Sequence, residues 1–455
     1  MAVDCAPMTD ASLPTLHVVG NETRLESLYA SALENVFVIN TTHPDDGGAA
    51  FVRAGGDYPT PWTRDAAINC WNAVSLLRPD LAASTLRAVV TPTTSGDIIA
   101  QDDQWWDQII WVVGALHHAE VTGDHAFGAW ARYVGLRALD HLEDRFDQRW
   151  GLYRGGAVMQ DGISGYPFPT EETDTSSSFV LDYPRAHTIM CLSTNAVYAR
   201  AHQLLGRTQR AEAWISVINN QLWDEDEGRY GYFLDQDGMR DHHQELIGLA
   251  LAIEFGIAEA ERTESIVTAL HREPRGLPLV WPHFERYDDA HPGRHNTSLW
   301  PMAMGFWGTA AAKAGHPAAL ARTLDDLIAL VDGSGGRFFE LYHPHTGVVD
   351  GGWQSGRNWP SVHDQTWSAT ALLRLVHEGL FGLRFNGGEA WLSPTLPPGY
   401  EELTLTGLTV RDARWTVSVS RDNGLAIDDV DRPRTAGPVH LPSLTGEHTI
   451  TIGIG

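Results

Sequence analysis

Two acidic residues in this chain sit where a carboxyl group could handle a proton. Glu340 lies in "GGRFFELYHPHTG", residues 335–347, with Phe338, Phe339 and Tyr342 around it and the turn Pro344 to Gly347 behind it. Asp161 lies in "MQDGISGYP", close to Gly156, Gly162 and Gly165, which let a backbone approach a ligand closely. Burial among apolar groups and a second carboxylate nearby both raise the proton affinity of a carboxyl group. Two such groups facing each other can divide the work of glycosidic cleavage, one protonating the leaving oxygen and the other activating water. Asp161 has rivals in its own segment: Glu171, Glu172, Asp174 and Asp182. Of these, Glu171-Glu172-Thr173-Asp174 reads as a solvated acidic turn. Glu340 has a plain alternative too, a turn between helices with its carboxylate in water.

Other chemistries lack their residues. The sequence has no H-E-x-x-H, no C-x-x-C pair, no G-x-S-x-G, no glycine-rich phosphate loop and no calcium loop. The pairs His117-His118 and His242-His243 are adjacent, so on a helix each pair points to two different faces. No metal and no cofactor are expected.

For the two carboxylates to meet, the elements between them must bring distant segments together. Apolar periodicity and capping signals predict helices near 21–36, 65–77, 80–90, 104–122, 124–145 and 185–205, then near 207–221, 241–254, 258–271, 297–314, 316–331 and 364–379. Asp124, Arg207 and His316-Pro317 each open the later member of a short-linked pair, and short links imply antiparallel neighbours. The other connections, 37–64, 91–103, 146–184, 222–240, 272–296 and 332–363, are long and rich in Trp, Asp, Arg and Gly. A closed ring of hairpins, an (α/α)6 barrel, would gather all the long connections on one face. There the inner helix N-termini would present positive dipole ends to a pocket. The alternatives are an open bundle or a helical array, and no fixed repeat period supports an array. From 383 the texture changes to alternating runs such as "WTVSVS", broken by "PPG" and "DNG". The expectation is a mainly α chain, with an (α/α)6 barrel over 1–382 and a small all-β appendage over 383–455.

Read as one surface, the long connections supply a ligand site. Trp62, Trp105, Trp106, Trp300, Trp353 and Trp359 offer flat stacking faces. Arg64, Asp65, Asp107, Arg294, Gln354, Arg357 and Asp364 offer hydrogen bonds to hydroxyl groups. Against this, Asp65 and Asp107 suit the first turn of a helix as dipole charges, and the arginines could be their ion-pair partners.

Composition narrows the partners. The formal net charge of −26 over 455 residues disfavours phosphate backbones and anionic lipid, so nucleic acid and membrane are not expected. No run approaches the length of a membrane-spanning helix, and the N-terminal residues lack the basic and apolar parts of a secretory signal. The three cysteines, Cys5, Cys70 and Cys191, are scattered and odd in number, which fits a reducing cytoplasm. The 17 tryptophans exceed ordinary core needs and suit sugar rings. A small carbohydrate is the expected partner, and monomer and homo-oligomer both stay open.

These segments resemble the six-hairpin glycosidases, most closely the clan of glycoside hydrolase families 37 and 63. That clan joins trehalases, processing-type α-glucosidases and the mannosylglycerate and glucosylglycerate hydrolases. "FFELYHPHTG" resembles its F-x-E-x-Y-x-P-x-T-G base segment, "MQDGISGYP" resembles in part its S-G-x-D acid segment, and "RHNTSLWP" resembles its G-x-V-W-P helix opening. The likeness spans about 20–380 in layout and these segments in motif. It implies an inverting hydrolase of an α-linked glycoside, an α-glucoside above all, with Glu340 as general base and Asp161 as general acid. The β appendage is more like that of α-L-rhamnosidases or family 65 enzymes, which keeps a rhamnosidase-like activity open. Two further readings stay open: a non-catalytic sugar-binding barrel, and a lyase or epimerase using His187, His295 or His363.

Overall fold

The computed structural model describes residues 13–45, 47–99, 104–158, 184–354, 356–422, 424–433 and 437–454. Among them are twelve helices of seven residues or more. In chain order they are α1 (Arg24–Glu34), α2 (Thr63–Asn69), α3 (Pro79–Ala88), α4 (Trp105–Thr122), α5 (His125–His141) and α6 (Leu192–Leu204). The rest are α7 (Thr208–Gln221), α8 (Leu246–Glu254), α9 (Ala260–Ala269), α10 (Pro301–Lys313), α11 (Pro317–Gly333) and α12 (Thr366–Arg374). All twelve fall where the sequence predicts a helix.

The even-numbered helices are buried nearly all round. α8 is "LIGLALAIE", with eight of its nine residues buried, and α4 buries tryptophan, isoleucine and valine on every face. The odd-numbered helices bury one stripe only, as α11 does with Leu320, Leu324, Leu327, Ile328 and Val331. Helix α2 packs on α4, α4 on α6, α6 on α8, α8 on α10, α10 on α12, and α12 on α2. Small residues permit the close approaches. A Cβ on Gly114 of α4 would stand 2.6 Å from the Ala67 carbonyl of α2, and one on Gly305 of α10 would stand 2.7 Å from the Ala371 Cβ of α12. Short links work as the capping rules require. Gly123 ends α4 in the left-handed conformation at φ 73°, and the Asp124 side chain then accepts from the Phe127 N–H to start α5.

Arg374, at the end of α12, ties several helices together. Its guanidinium donates to Thr309 Oγ1 of α10 at 3.0 Å, to Asn72 Oδ1 at 3.4 Å and to Glu378 Oε1 at 3.1 Å. Glu254 of α8 lies 3.5 Å away, and the cation sits over the rings of Trp71 and Phe306.

The C-terminal region forms a six-stranded sheet and a three-stranded one. The larger sheet contains β1 (Thr15–Gly20), β2 (Tyr400–Val410), β3 (Ala413–Ser420), β4 (Leu425–Ile427), β5 (Val430–Asp431) and β6 (Gly446–Gly453), in the order β1-β2-β3-β6-β4-β5. Strand β3 alternates buried and half-buried residues, as its sequence predicts. Strand β1 comes from the helical side of a division at residue 382, yet it pairs antiparallel with β2, Leu16 opposite Leu405. The β region meets the C-terminal end of α4. Arg411 donates to the Glu120 carbonyl at 3.1 Å, and the Gly388 N–H donates to the Glu120 carboxylate at 2.8 Å.

Candidate active site

Glu340 lies in the connection before α12, only 4% exposed. Its backbone is fixed by bridging: Phe339 pairs with His363, and the Glu340 N–H donates to the Val362 carbonyl at 2.9 Å. Tyr342 is bridged to Leu299 and to Val349, which anchors the other side of the glutamate to the start of α10. One carboxylate oxygen, Oε2, accepts from Arg294 Nη2. Among the described residues Oε1 accepts no hydrogen bond. Phe338 and Tyr342 are buried and Phe339 packs against the core.

A second charged group stands at the starts of α2 and α4. Arg64 Nη1 donates to Asp107 Oδ2 at 3.3 Å, and Arg64 Nε lies 4.0 Å from Asp65 Oδ2. Both carboxylates are buried and both occupy the first turn of their helix. The ion-pair alternative for Arg64 is therefore what the structure contains. Asp65 is pushed up to about 7: burial raises it, Arg64 opposes, and the charges of Glu340 and Asp107 raise it further. That interaction joins the two charged groups into one field. Tyr58 stands in the same field, its phenol pushed well up by burial and by Glu340. Tyr58 was not singled out by the sequence reading, because a lone tyrosine in "GGDYPTPW" carries no spacing signal.

The remaining expected contacts divide by exposure. Trp106 and Trp300 are enclosed, and Trp300 donates from its indole to the Arg294 carbonyl at 2.9 Å. Trp105 is nearly buried, edge-on to Trp106 and His187, with Arg145 over its ring at 4.1 Å. These three back the site rather than present open faces. Trp62, just before α2, is 43% exposed. Trp353 and Gln354 pair with Asn358 and Arg357 in a two-stranded ribbon, with Trp353 half-buried beside His291. Arg357 is exposed and stacks over Trp359 at 4.1 Å, while the Trp359 indole donates to the Gln354 carbonyl at 2.8 Å. Asp364 is occupied elsewhere. It accepts from Arg337 Nη2 at 2.6 Å and lies 2.8 Å from His363 Nδ1. Burial raises its proton affinity, but those two partners outweigh burial and hold it below the usual carboxylate range.

Asp161 and its rivals Glu171, Glu172, Asp174 and Asp182 lie outside the described residues. His242 and His243 lie before α8 rather than on it, and each meets its own aspartate: His242 meets Asp224 at 2.5 Å and His243 meets Asp241 at 2.8 Å. Cys70 and Cys191 are buried and unbonded to one another.

Comparison with known proteins gives similarities to set beside this geometry. The model described as "Mannosylglycerate hydrolase MGH1-like glycoside hydrolase domain" matches residues 170–368, a span that includes Arg294 and Glu340. Among curated proteins no sequence match is found. Among solved structures the chain is similar to a sialidase, with 15% identity, a TM-score of 0.69 and coverage of 92% of this chain. The chain spans only 40% of that sialidase's length. It is similar over 77% of its own length to all of the family 63 mannosylglycerate hydrolase from Thermus thermophilus, with 18% identity and a TM-score of 0.56. The neutral trehalase from Saccharomyces cerevisiae has 10% identity and a TM-score of 0.51, over 76% of this chain and 79% of that one. At such identities the structures speak for the fold. Together with the family match, which covers less than half of the chain, they bear out the resemblance to the six-hairpin glycosidase clan.

Proposed function

We propose that this chain is an inverting hydrolase of a small α-linked glycoside, most simply an α-glucoside, built on a closed (α/α)6 barrel. The cyclic packing of the six even helices supports closure. The observation that carries the chemistry is the state of Glu340. It is a nearly buried carboxylate, held by arginine at one oxygen and with its other oxygen accepting no hydrogen bond among the described residues. A general base needs that arrangement, an ionised group with one oxygen to take a proton from water. The acid is a carboxyl group of the segment before α6, Asp161 in first place, with Glu171 and Glu172 as rivals. Trp62 and Trp353, the partly exposed rings, stack on the sugar, and Arg357 reaches its hydroxyls at the rim.

Two leaving groups separate the roles. Fluoride departs with little need of a proton, whereas a sugar oxygen requires one. Glu340→Gln should lose about a hundredfold or more in kcat on both α-glucosyl fluoride and an α-linked disaccharide. The acid variant, Asp161→Asn or its Glu171 or Glu172 counterpart, should keep the fluoride activity and lose the disaccharide. Retention of more than about a tenth of the rate by Glu340→Gln would reject the assignment of the base.

A further inference from the structure

From the geometry around Glu340 we infer that Arg294 is a positioning residue for the base, not a hydroxyl-gripping residue of the sugar site. The inference rests on Glu340 being the base, and its test is arranged so that the two can fail separately.

Both terminal nitrogens and both backbone polar groups of Arg294 are engaged in holding something still. Nη2 donates to Glu340 Oε2, and Nη1 donates to the Gly351 carbonyl at 2.8 Å. Its backbone N–H donates to the Trp353 carbonyl at 3.0 Å, and its own carbonyl accepts from the Trp300 indole at 2.9 Å. The fork is thus split between one carboxylate oxygen and the backbone carbonyls of Gly351 and, at 3.5 Å, Pro360, which fixes the guanidinium plane and, through it, the carboxylate. The segment Gly351–Trp353 lies directly on the arginine backbone. A Cβ on Gly352, at φ 74°, would stand 2.5 Å from the Arg294 Cα and 2.7 Å from its nitrogen. Lysine could not replace this fork, because a single ammonium on a flexible stem lacks the planar double donor.

The chemical consequence follows from which oxygen is taken. With Oε2 bound by Arg294, the proton from water goes to Oε1, and the developing hydroxide attacks from that side. Asp65 interacts with Glu340 electrostatically, and Arg64 opposes the rise of Asp65. Tyr58 belongs to the same set of charged and titratable neighbours.

A double-mutant cycle on α-glucosyl fluoride tests this, since that probe isolates the base from the acid. Arg294→Met should lower kcat about a hundredfold with KM changed less than about threefold. Arg294→Lys should recover part of the loss. In the Glu340→Gln background Arg294→Met should cost almost nothing more, because the residue it acts through is already disabled. A tenfold rise in KM at unchanged kcat, or losses that multiply in the double variant, would overturn the inference and return Arg294 to the sugar. If Arg294→Met does not fold, judged by circular dichroism and melting, the same cycle with Arg294→Lys carries the same two outcomes. Full activity of Glu340→Gln alone would instead sink the underlying assignment of the base, whatever the arginine variants do.

Discussion

Asp65 should make the native state less stable as pH rises, and replacing it should reverse that. Its carboxyl is raised from 3.8 to about 7 by burial first, then by Glu340 and Asp107, with Arg64 only partly compensating. In the unfolded chain the group titrates at its ordinary value. Between about pH 4 and pH 7 the native state therefore binds more protons than the unfolded one, and stability falls as pH increases through this window. A shift of about three units at 1.36 kcal/mol each makes the ionised carboxylate cost on the order of 4 kcal/mol above pH 7. The residue is 4% exposed, so solvent does little to screen this. Asp65→Asn removes the titration while keeping size and hydrogen-bonding capacity. Denaturant midpoints or melting temperatures for the two proteins at pH 5 and pH 8 give the comparison. The variant should gain on the wild type between those values by a few kcal/mol while losing activity, since the group belongs to the site. A stability difference that is the same at both pH values would show that Asp65 is an ordinary ionised carboxylate.

Arg374→Met should leave Glu254 and Glu378 buried without their shared cation, costing about 3–5 kcal/mol and lowering the melting temperature markedly. An unchanged melting temperature would show that the arginine does not join the helices energetically. Exhaustive chelation should leave the hydrolytic rate unchanged, and recovery of a lost rate on adding a divalent ion would overturn the carboxylate-only reading.

The fold was legible because it is written in periodicity. Whether a helix is apolar all round or on one stripe separates α8 from α11, and the Gly123-Asp124 and His316-Pro317 links mark antiparallel neighbours. The pairing of β1 with β2 was not legible, since residues 15–20 and 400–410 share no local signal and only their three-dimensional proximity joins them. At the site, Glu340 stood out through its aromatic neighbours and turn. The sequence offered the Arg64 ion pair as one alternative, but the partners of Arg294 and Asp364 it could not assign. Arg294 reads as a ligand-binding arginine and Asp364 as a sugar contact, yet the first holds Glu340 and the second holds Arg337 and His363. Long-range pairing decides those roles, across 46 positions in the case of Arg294. Exposure likewise separates Trp62 from Trp106, two residues whose sequence surroundings look equally suited to a sugar.

The central claim is that a base at Glu340 and an acid from the segment before α6 invert the anomeric centre, which requires room for a water between carboxyl groups about 6.5–9.5 Å apart. Proton NMR of the sugar released from an α-linked glucoside, recorded before mutarotation, tests it most directly. The account predicts that the β-anomer appears first; first appearance of the α-anomer would contradict it.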